Sequence, residues 1–90
     1  MEAKYQLKIK KFAEANGWLV IKILRATVNG LPDLMLLNPN RQTIFIEVKA
    51  KGGRLSKVQE YQIKKLKEKG FVAVVAYPDD FTEIKRLITK

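Results

Sequence analysis

The chain of 90 residues contains neither cysteine nor histidine. The absence of cysteine excludes a disulfide framework, a thiolate zinc site and thiol catalysis. The absence of histidine also excludes Ser-His and Cys-His nucleophilic chemistry and any histidine-ligated metal. Oxygen atoms of carboxylates and carbonyls are therefore the ligands left for a metal, and they suit a hard divalent cation such as magnesium or manganese.

Long apolar runs are also missing from the sequence. No run approaches the roughly 20 apolar residues of a membrane span, and the N-terminus lacks the apolar core of a signal peptide. We therefore expect an intracellular, cytoplasmic protein with no membrane partner. Because 90 residues suffice for one domain, residues 1–90 are interpreted as a single stand-alone unit.

Acidic residues are scarce relative to basic ones. Lysine and arginine number 18 against 9 aspartates and glutamates, a formal net charge of +9. Self-repulsion of this size costs stability unless a polyanion relieves it. The charge favours nucleic acid as a partner, and a solvated lysine-rich surface is the alternative that charge alone leaves open.

Local sequence patterns predict the element order α-β-β-β-α-β-α. The predicted elements are a helix over 1–16, strands over 18–24, 34–37 and 43–49, a helix over 57–69, a strand over 71–77 and a last helix from about 81. Ser56 and Gln59 have the spacing of a capping box for the second helix, and Asp80 and Glu83 have it for the third. We expect an α/β (α+β) fold with a mixed four-stranded sheet: a three-strand meander, a fourth strand brought alongside by a helix, and helices on the faces.

Three charged residues occupy unusual places in the predicted central hairpin. Side chains alternate along a strand, so Glu47 and Lys49 project from one face while Val48 joins the apolar residues of the other. Asp33 begins the partner strand and can approach Glu47 across a strand spacing of about 5 Å. Two carboxylates and one ammonium group are thus predicted to share one site.

Each of these residues also has a simpler interpretation. Asp33 follows Pro32, where an aspartate can merely close a turn. Glu47 and Lys49 can be an ordinary solvent-facing pair on an antiparallel strand. Gln59 can serve only the capping box with Ser56.

The hairpin motif resembles that of a known nuclease superfamily. Gly30-Leu31-Pro32-Asp33, thirteen residues and then Glu47-Val48-Lys49, in this element order, resemble the PD-(D/E)xK nucleases. The lead-in glycine and proline, the Glu-Val-Lys-Ala ending and the Leu-Ser-Lys-Val-Gln sequence at 55–59 are similar to the VRR-NUC family of virus-type replication and repair nucleases. The similarity extends from Glu2 to about Ile88.

This resemblance implies a metal-dependent DNA phosphodiesterase with a restriction-endonuclease-like core. Asp33 and Glu47 would bind Mg²⁺ or Mn²⁺ with their side chains, and the backbone carbonyl of Val48 would add a ligand. Lys49 would orient or deprotonate the attacking water and meet the charge that grows on the phosphate. A metal held by two carboxylates also relieves the repulsion between them.

Further site residues follow from the same resemblance. Glu2 matches an acidic residue that joins the metal site, and Gln59 matches a glutamine that faces the active site from the second helix. Independently of the resemblance, four of the 18 basic residues flank the proposed site and are candidates for DNA phosphate contacts: Arg25, Lys51, Arg54 and Lys57. The loop over 25–29 is short, and Asn29 stands where relatives often carry a basic residue, which puts substrate contacts from that loop in doubt.

A single small domain presents one active site and cuts one strand. We therefore expect a homodimer that acts on branched DNA such as a four-way (Holliday) junction, with no small-molecule cofactor beyond the metal. The alternatives are a non-catalytic nucleic-acid-binding module on the same fold, a flap or nicking nuclease, and a sequence-specific restriction-type enzyme. The virus-type relatives associate the chain with a phage or mobile-element origin.

Overall fold

The chain adopts the predicted order of elements in a computed structural model that describes residues 2–90, apart from the side chain of Glu2. The helices are α1 (Glu2–Ala15), α2 (Lys57–Glu68) and α3 (Phe81–Thr89), and the strands are β1 (Leu19–Lys22), β2 (Leu34–Leu37), β3 (Ile44–Val48) and β4 (Val72–Ala76). A short 3₁₀ turn, Pro78–Asp80, precedes α3. Within residues 2–90, no helix is long and apolar enough to cross a membrane.

The four strands form one mixed sheet in the order β1-β2-β3-β4. The first three strands are an antiparallel meander, in which Leu34 pairs with Ile46. Strand β4 lies parallel to β3, because α2 carries the chain back along the sheet between them. Strands β1, β3 and β4 therefore finish at the same end of the sheet at which β2 begins, and we call it the site end.

Helices α1 and α3 cover one surface of the sheet, which we call the two-helix face. Alternate residues of the strands point into it, so that Leu34, Ile46 and Val48 are almost completely buried. The helices contribute apolar side chains at helical spacing, namely Tyr5, Ile9 and Ala13 from α1 and Ile84 and Ile88 from α3. This face holds the larger part of the apolar core.

Within the described residues, helix α2 alone covers the opposite surface, the one-helix face. Its Ile63 packs with Phe45 of β3 and Ala73 of β4. Strand β1 lies at the far edge of the sheet from β4, on which α2 packs. Its outward residues therefore remain accessible, with Leu19 61% exposed and Ile21 37% exposed.

The predicted capping box at the start of α3 is wrong. The Asp80 carboxylate accepts a hydrogen bond from the Tyr77 backbone N–H (3.1 Å), so it caps the 3₁₀ turn and makes no side-chain cap bond to α3. Glu83 instead pairs with Arg86 (2.9 Å). Pro78 starts a tight turn one residue after Tyr77, and this turn directs the Asp80 side chain backwards before α3 begins.

Candidate active site at the end of strand β3

Strand pairing brings Asp33 and Glu47 side by side. Leu34 pairs with Ile46, so extending the antiparallel register by one residue sets Asp33 opposite Glu47. Their sequence neighbours Leu34, Ile46 and Val48 point into the two-helix face. Because side chains alternate along a strand, Asp33 and Glu47 both project from the one-helix face. The Val48 backbone N–H donates to Asp33 Oδ2 (2.9 Å), which fixes the Asp33 carboxylate against β3.

Glu47 is a buried acid, with only 3% of its surface exposed. Its Oε2 atom lies 3.5 Å from Lys49 Nζ and accepts a hydrogen bond from Gln59 Nε2 (3.0 Å). The Lys49 side chain is itself only 17% exposed. A buried charge is costly unless it is paired and hydrogen-bonded, and these two partners offset that cost. The residues are therefore not a solvent-facing pair.

The backbone of β3 holds Lys49 in this arrangement. The Val48 side chain is fully buried on the two-helix face, which directs the side chains on either side of it to the one-helix face. Beyond Val48, the Lys49 N–H donates to the Ala76 carbonyl (3.0 Å) and continues the pairing with β4. Lys49 is thus anchored between two strands rather than carried on a loose loop.

Gln59 makes both contacts that the sequence left open, one in the capping box and one with Glu47. Its backbone N–H donates to Ser56 Oγ (3.1 Å), and its side-chain Oε1 accepts from the Ser56 N–H (2.9 Å). This capping box begins α2, while the amide nitrogen of the same side chain reaches Glu47. One residue therefore joins the helix N-terminus to the buried acid.

Asp33 does not simply close a turn. Its carbonyl accepts a hydrogen bond from the Ile23 N–H (2.7 Å), so its backbone belongs to the sheet between the end of β1 and the start of β2. Pro32 before it is buried. The Asp33 side chain accepts a hydrogen bond from β3, and Asp33 is half-buried at the site end of the sheet.

The donor atoms at this place fit a hard cation. Asp33 and Glu47 supply carboxylate oxygens, and Mg²⁺ is commonly bound by one or two carboxylates together with water and substrate phosphates. Among the described residues there is no cluster of three or more His, Cys, Asp or Glu side chains that could hold a metal. The Glu2 side chain, expected as a further ligand, lies outside the described part.

A basic loop leaves β3 at the same end of the sheet. The Gly53 N–H donates to the Ala50 carbonyl (2.9 Å), which forms a turn with Lys51 at its tip and Gly52 at φ +79°, a conformation that favours glycine. The Tyr77 hydroxyl donates to the Gly53 carbonyl (2.9 Å) and ties the turn to the end of β4. Four basic side chains predicted to contact phosphate are exposed on segments at this end: Arg25, Lys51, Arg54 and Lys57.

Two contacts near the site were not predicted from the sequence, namely Gly30 with Val58 and Tyr77 with Gly53. Gly30 has φ +81°, and a Cβ atom there would lie 2.9 Å from the Val58 carbonyl oxygen, so the loop before Asp33 packs directly against the first turn of α2. The only sequence signal was the glycine itself, three residues before Asp33. Tyr77 had no signal, because an aromatic residue at a strand end is ordinary.

Comparison with known proteins identifies the family and agrees with the fold. A family model described as the VRR-NUC domain matches residues 7–80. A solved structure described as a VRR_NUC domain superposes with a TM-score of 0.82 at 27% sequence identity, over 97% of this chain and 92% of that chain. Among curated proteins, none matches the chain significantly.

Proposed function

Because the chain belongs to the VRR-NUC family of nuclease-type domains, we propose that it is a divalent-metal-dependent DNA endonuclease. One observation carries the proposal: two carboxylates from adjacent strands share a face with a half-buried lysine, and a basic loop emerges beside them. DNA supplies the negative phosphates that this arrangement can bind.

The proposed roles follow from the contacts of each side chain. Asp33 and Glu47 hold Mg²⁺ or Mn²⁺, with the Val48 carbonyl and Glu2 as additional candidate ligands. The bound ion supplies Lewis acidity at the phosphate and activation of a water nucleophile. Lys49 lies next to Glu47, where its ammonium group can orient water and stabilise negative charge on the phosphate. Gln59 holds the Glu47 carboxylate in place.

The proposed substrate is branched DNA, a four-way junction in particular, cut by a homodimer. A two-fold pair of active sites can act on two strands, whereas one such site cuts one strand. Apolar side chains left uncovered on β1 and in the segment just after it support a second copy as partner, since Leu19 is 61% exposed and Leu24 is 82% exposed. A monomeric mass in solution, with and without junction DNA, would contradict the dimer but not the nuclease.

The decisive experiment compares a four-way junction, a flap and a linear duplex as substrates in magnesium, manganese or EDTA. We expect cleavage only with metal and fastest on the junction. Preferred cutting of the flap or nicking of the duplex would replace the junction assignment. No cleavage of any substrate under any metal would leave a non-catalytic nucleic-acid-binding module.

Matched variants tie the activity to the site. Asp33→Ala and Lys49→Ala should abolish cleavage while DNA binding persists in a gel-shift assay. Glu60→Ala and Lys64→Ala are the controls, because both side chains are exposed on α2, and their cleavage rates should equal the wild-type rate. Retained cleavage in both site variants would show that the active site lies elsewhere.

A further inference from the structure

The capping box of α2 and the buried acid share one side chain. Gln59 Oε1 accepts from the Ser56 N–H (2.9 Å), and Gln59 Nε2 donates to Glu47 Oε2 (3.0 Å). The Ser56 hydroxyl in turn accepts from the Gln59 backbone N–H (3.1 Å). Ser56 thus holds Gln59 by its main chain and by its side chain together.

This double attachment determines which end of the amide faces Glu47. An amide presents either a donor or an acceptor, and only the NH₂ group can bond a carboxylate. With Oε1 held by the Ser56 N–H, the NH₂ group is left to point at Glu47. If Ser56 released the amide, rotation could bring Oε1 against the carboxylate, where the two oxygen atoms would repel each other.

The same helical turn also touches the segment that leads to Asp33. Val58 lies between Ser56 and Gln59 in sequence, and it packs so closely on Gly30 that a Cβ atom there would lie 2.5 Å from Val58 Cγ1. Residues 56–59 therefore contact both the strand that carries Glu47 and the loop three residues before Asp33. The placement of this turn bears on both carboxylates.

We propose that Ser56 is a positioning residue for the metal site, acting on the Glu47 carboxylate through the Gln59 amide. The inference rests on the proposed function, since it assumes that Asp33 and Glu47 bind the cation. Partners that orient a metal ligand commonly change metal affinity when they are removed. The hydrogen bonds of Ser56 go to Gln59 rather than to Asp33 or Glu47, so its effect should be smaller than that of a direct partner.

The test measures Mn²⁺ binding to the DNA-free protein by electron paramagnetic resonance, with thermal unfolding in parallel. Ser56→Ala removes the hydroxyl, and Ser56→Pro also removes the N–H at a position whose φ of −72° proline can adopt. We expect Mn²⁺ binding about threefold weaker in Ser56→Ala and about tenfold weaker in Ser56→Pro. Ser56→Thr retains a capping hydroxyl and should bind within about twofold of wild type.

A stability control separates positioning from general weakening of the fold. Ile88→Val removes one methylene from the buried two-helix face, and it should lower the melting temperature without changing Mn²⁺ affinity. If Ile88→Val weakened Mn²⁺ binding as much as the Ser56 variants do, or if Ser56→Ala and Ser56→Pro bound Mn²⁺ like wild type, the role of Ser56 would be overturned. The metal site itself would not be contradicted. Absence of Mn²⁺ binding in the wild-type protein would overturn the metal site and this inference together.

Discussion

The two faces of the sheet differ in what they bury. The two-helix face encloses a continuous apolar core between the strands and α1 and α3. The one-helix face has a smaller apolar cluster beneath α2 and, at the site end, the buried Glu47 with Lys49 and Gln59. The stability of the fold and its proposed chemistry therefore lie on opposite sides of the same strands.

This division has a physical reason. A face filled with apolar side chains under two helices gives no compensation to a buried charge. A face covered by one helix leaves its end open, so carboxylates there can be shielded from bulk water and yet reached by substrate. Residues 46 and 47, adjacent in sequence, belong to these two environments.

The largest effect is expected for Glu47→Gln on the one-helix face. The amide is nearly isosteric with the carboxylate but lacks its charge, so cleavage should fall by about a thousandfold or more, about 4 kcal/mol in activation free energy. The melting temperature should fall only modestly, because the amide keeps the packing of the side chain while Lys49 loses the carboxylate beside it. Single-turnover cleavage and thermal unfolding measure the two quantities, and substantial cleavage by the folded variant would place the metal ligands elsewhere.

The adjacent substitution Ile46→Ala should do the reverse. Ile46 is fully buried on the two-helix face, so its truncation should cost about 3 kcal/mol of unfolding free energy. Cleavage by the folded fraction should remain close to wild type. Urea denaturation measures the free energy of unfolding. A loss of cleavage activity without urea, at a temperature where the variant is fully folded, would show that the two faces are not independent.

Gly30→Ala tests the contact between the loop and α2. Its positive φ and the nearby Val58 backbone leave no space for a methyl group, and we expect a loss of about 2 kcal/mol in unfolding free energy. Because the strain falls on the site end of the one-helix face, Mn²⁺ binding should weaken as well. Gly52 also has a positive φ of +79°, but its Cβ position meets no atom within 4 Å, so Gly52→Ala should cost some stability and leave Mn²⁺ binding unchanged.

Lys51→Ala compares the two ends of the one-helix face. Lys51 is exposed at the tip of the loop beside the site, whereas Lys69 is exposed at the far end of α2. We expect Lys51→Ala to weaken DNA binding about fivefold and to lower the slope of log affinity against log salt by about 1. Lys69→Ala should have a smaller effect, and equal effects would indicate diffuse attraction rather than a located phosphate contact.

Tyr5→Phe gives the smallest expected effect, on the two-helix face. The Tyr5 hydroxyl is buried and has no hydrogen-bond partner among the described residues, so its removal should leave stability unchanged or raise it by up to about 1 kcal/mol. Burial, followed by the charges of Asp80 and Asp79, raises the pKa of Tyr5 to about 12.

The difference in stability between wild type and Tyr5→Phe should depend on pH. The folded pKa lies above the usual value of 10.0, so the folded state keeps the tyrosine proton that the unfolded state loses. Ionisation of this group therefore leaves the free energy of unfolding unaffected below pH 10 and lowers it as pH rises from 10 towards about 12. Wild type should lose stability more steeply than Tyr5→Phe across this interval in urea denaturation. Parallel losses would contradict the raised pKa.

The sequence alone was sufficient for the order of elements and for the faces of β3. Strand alternation is a local property, and it already separates Val48 from Glu47 and Lys49. Capping boxes are also local, and the one at Ser56 is present. The similar pattern at Asp80 gave a wrong prediction, because the Asp80 carboxylate accepts a hydrogen bond from the Tyr77 N–H and so caps the 3₁₀ turn instead of α3.

Only the tertiary structure decided how these local features meet. The sequence predicted that Asp33 and Gln59 lie near Glu47, but the register of β2 with β3 and the crossover by α2 decide that Asp33 stands opposite Glu47 and that the Gln59 amide bonds it. The close packing of Val58 on Gly30 and the bond from Tyr77 to Gly53 join residues 28 and 24 positions apart. Such contacts depend on register and helix placement, which arise from packing of the whole chain and leave no periodic signal in the sequence.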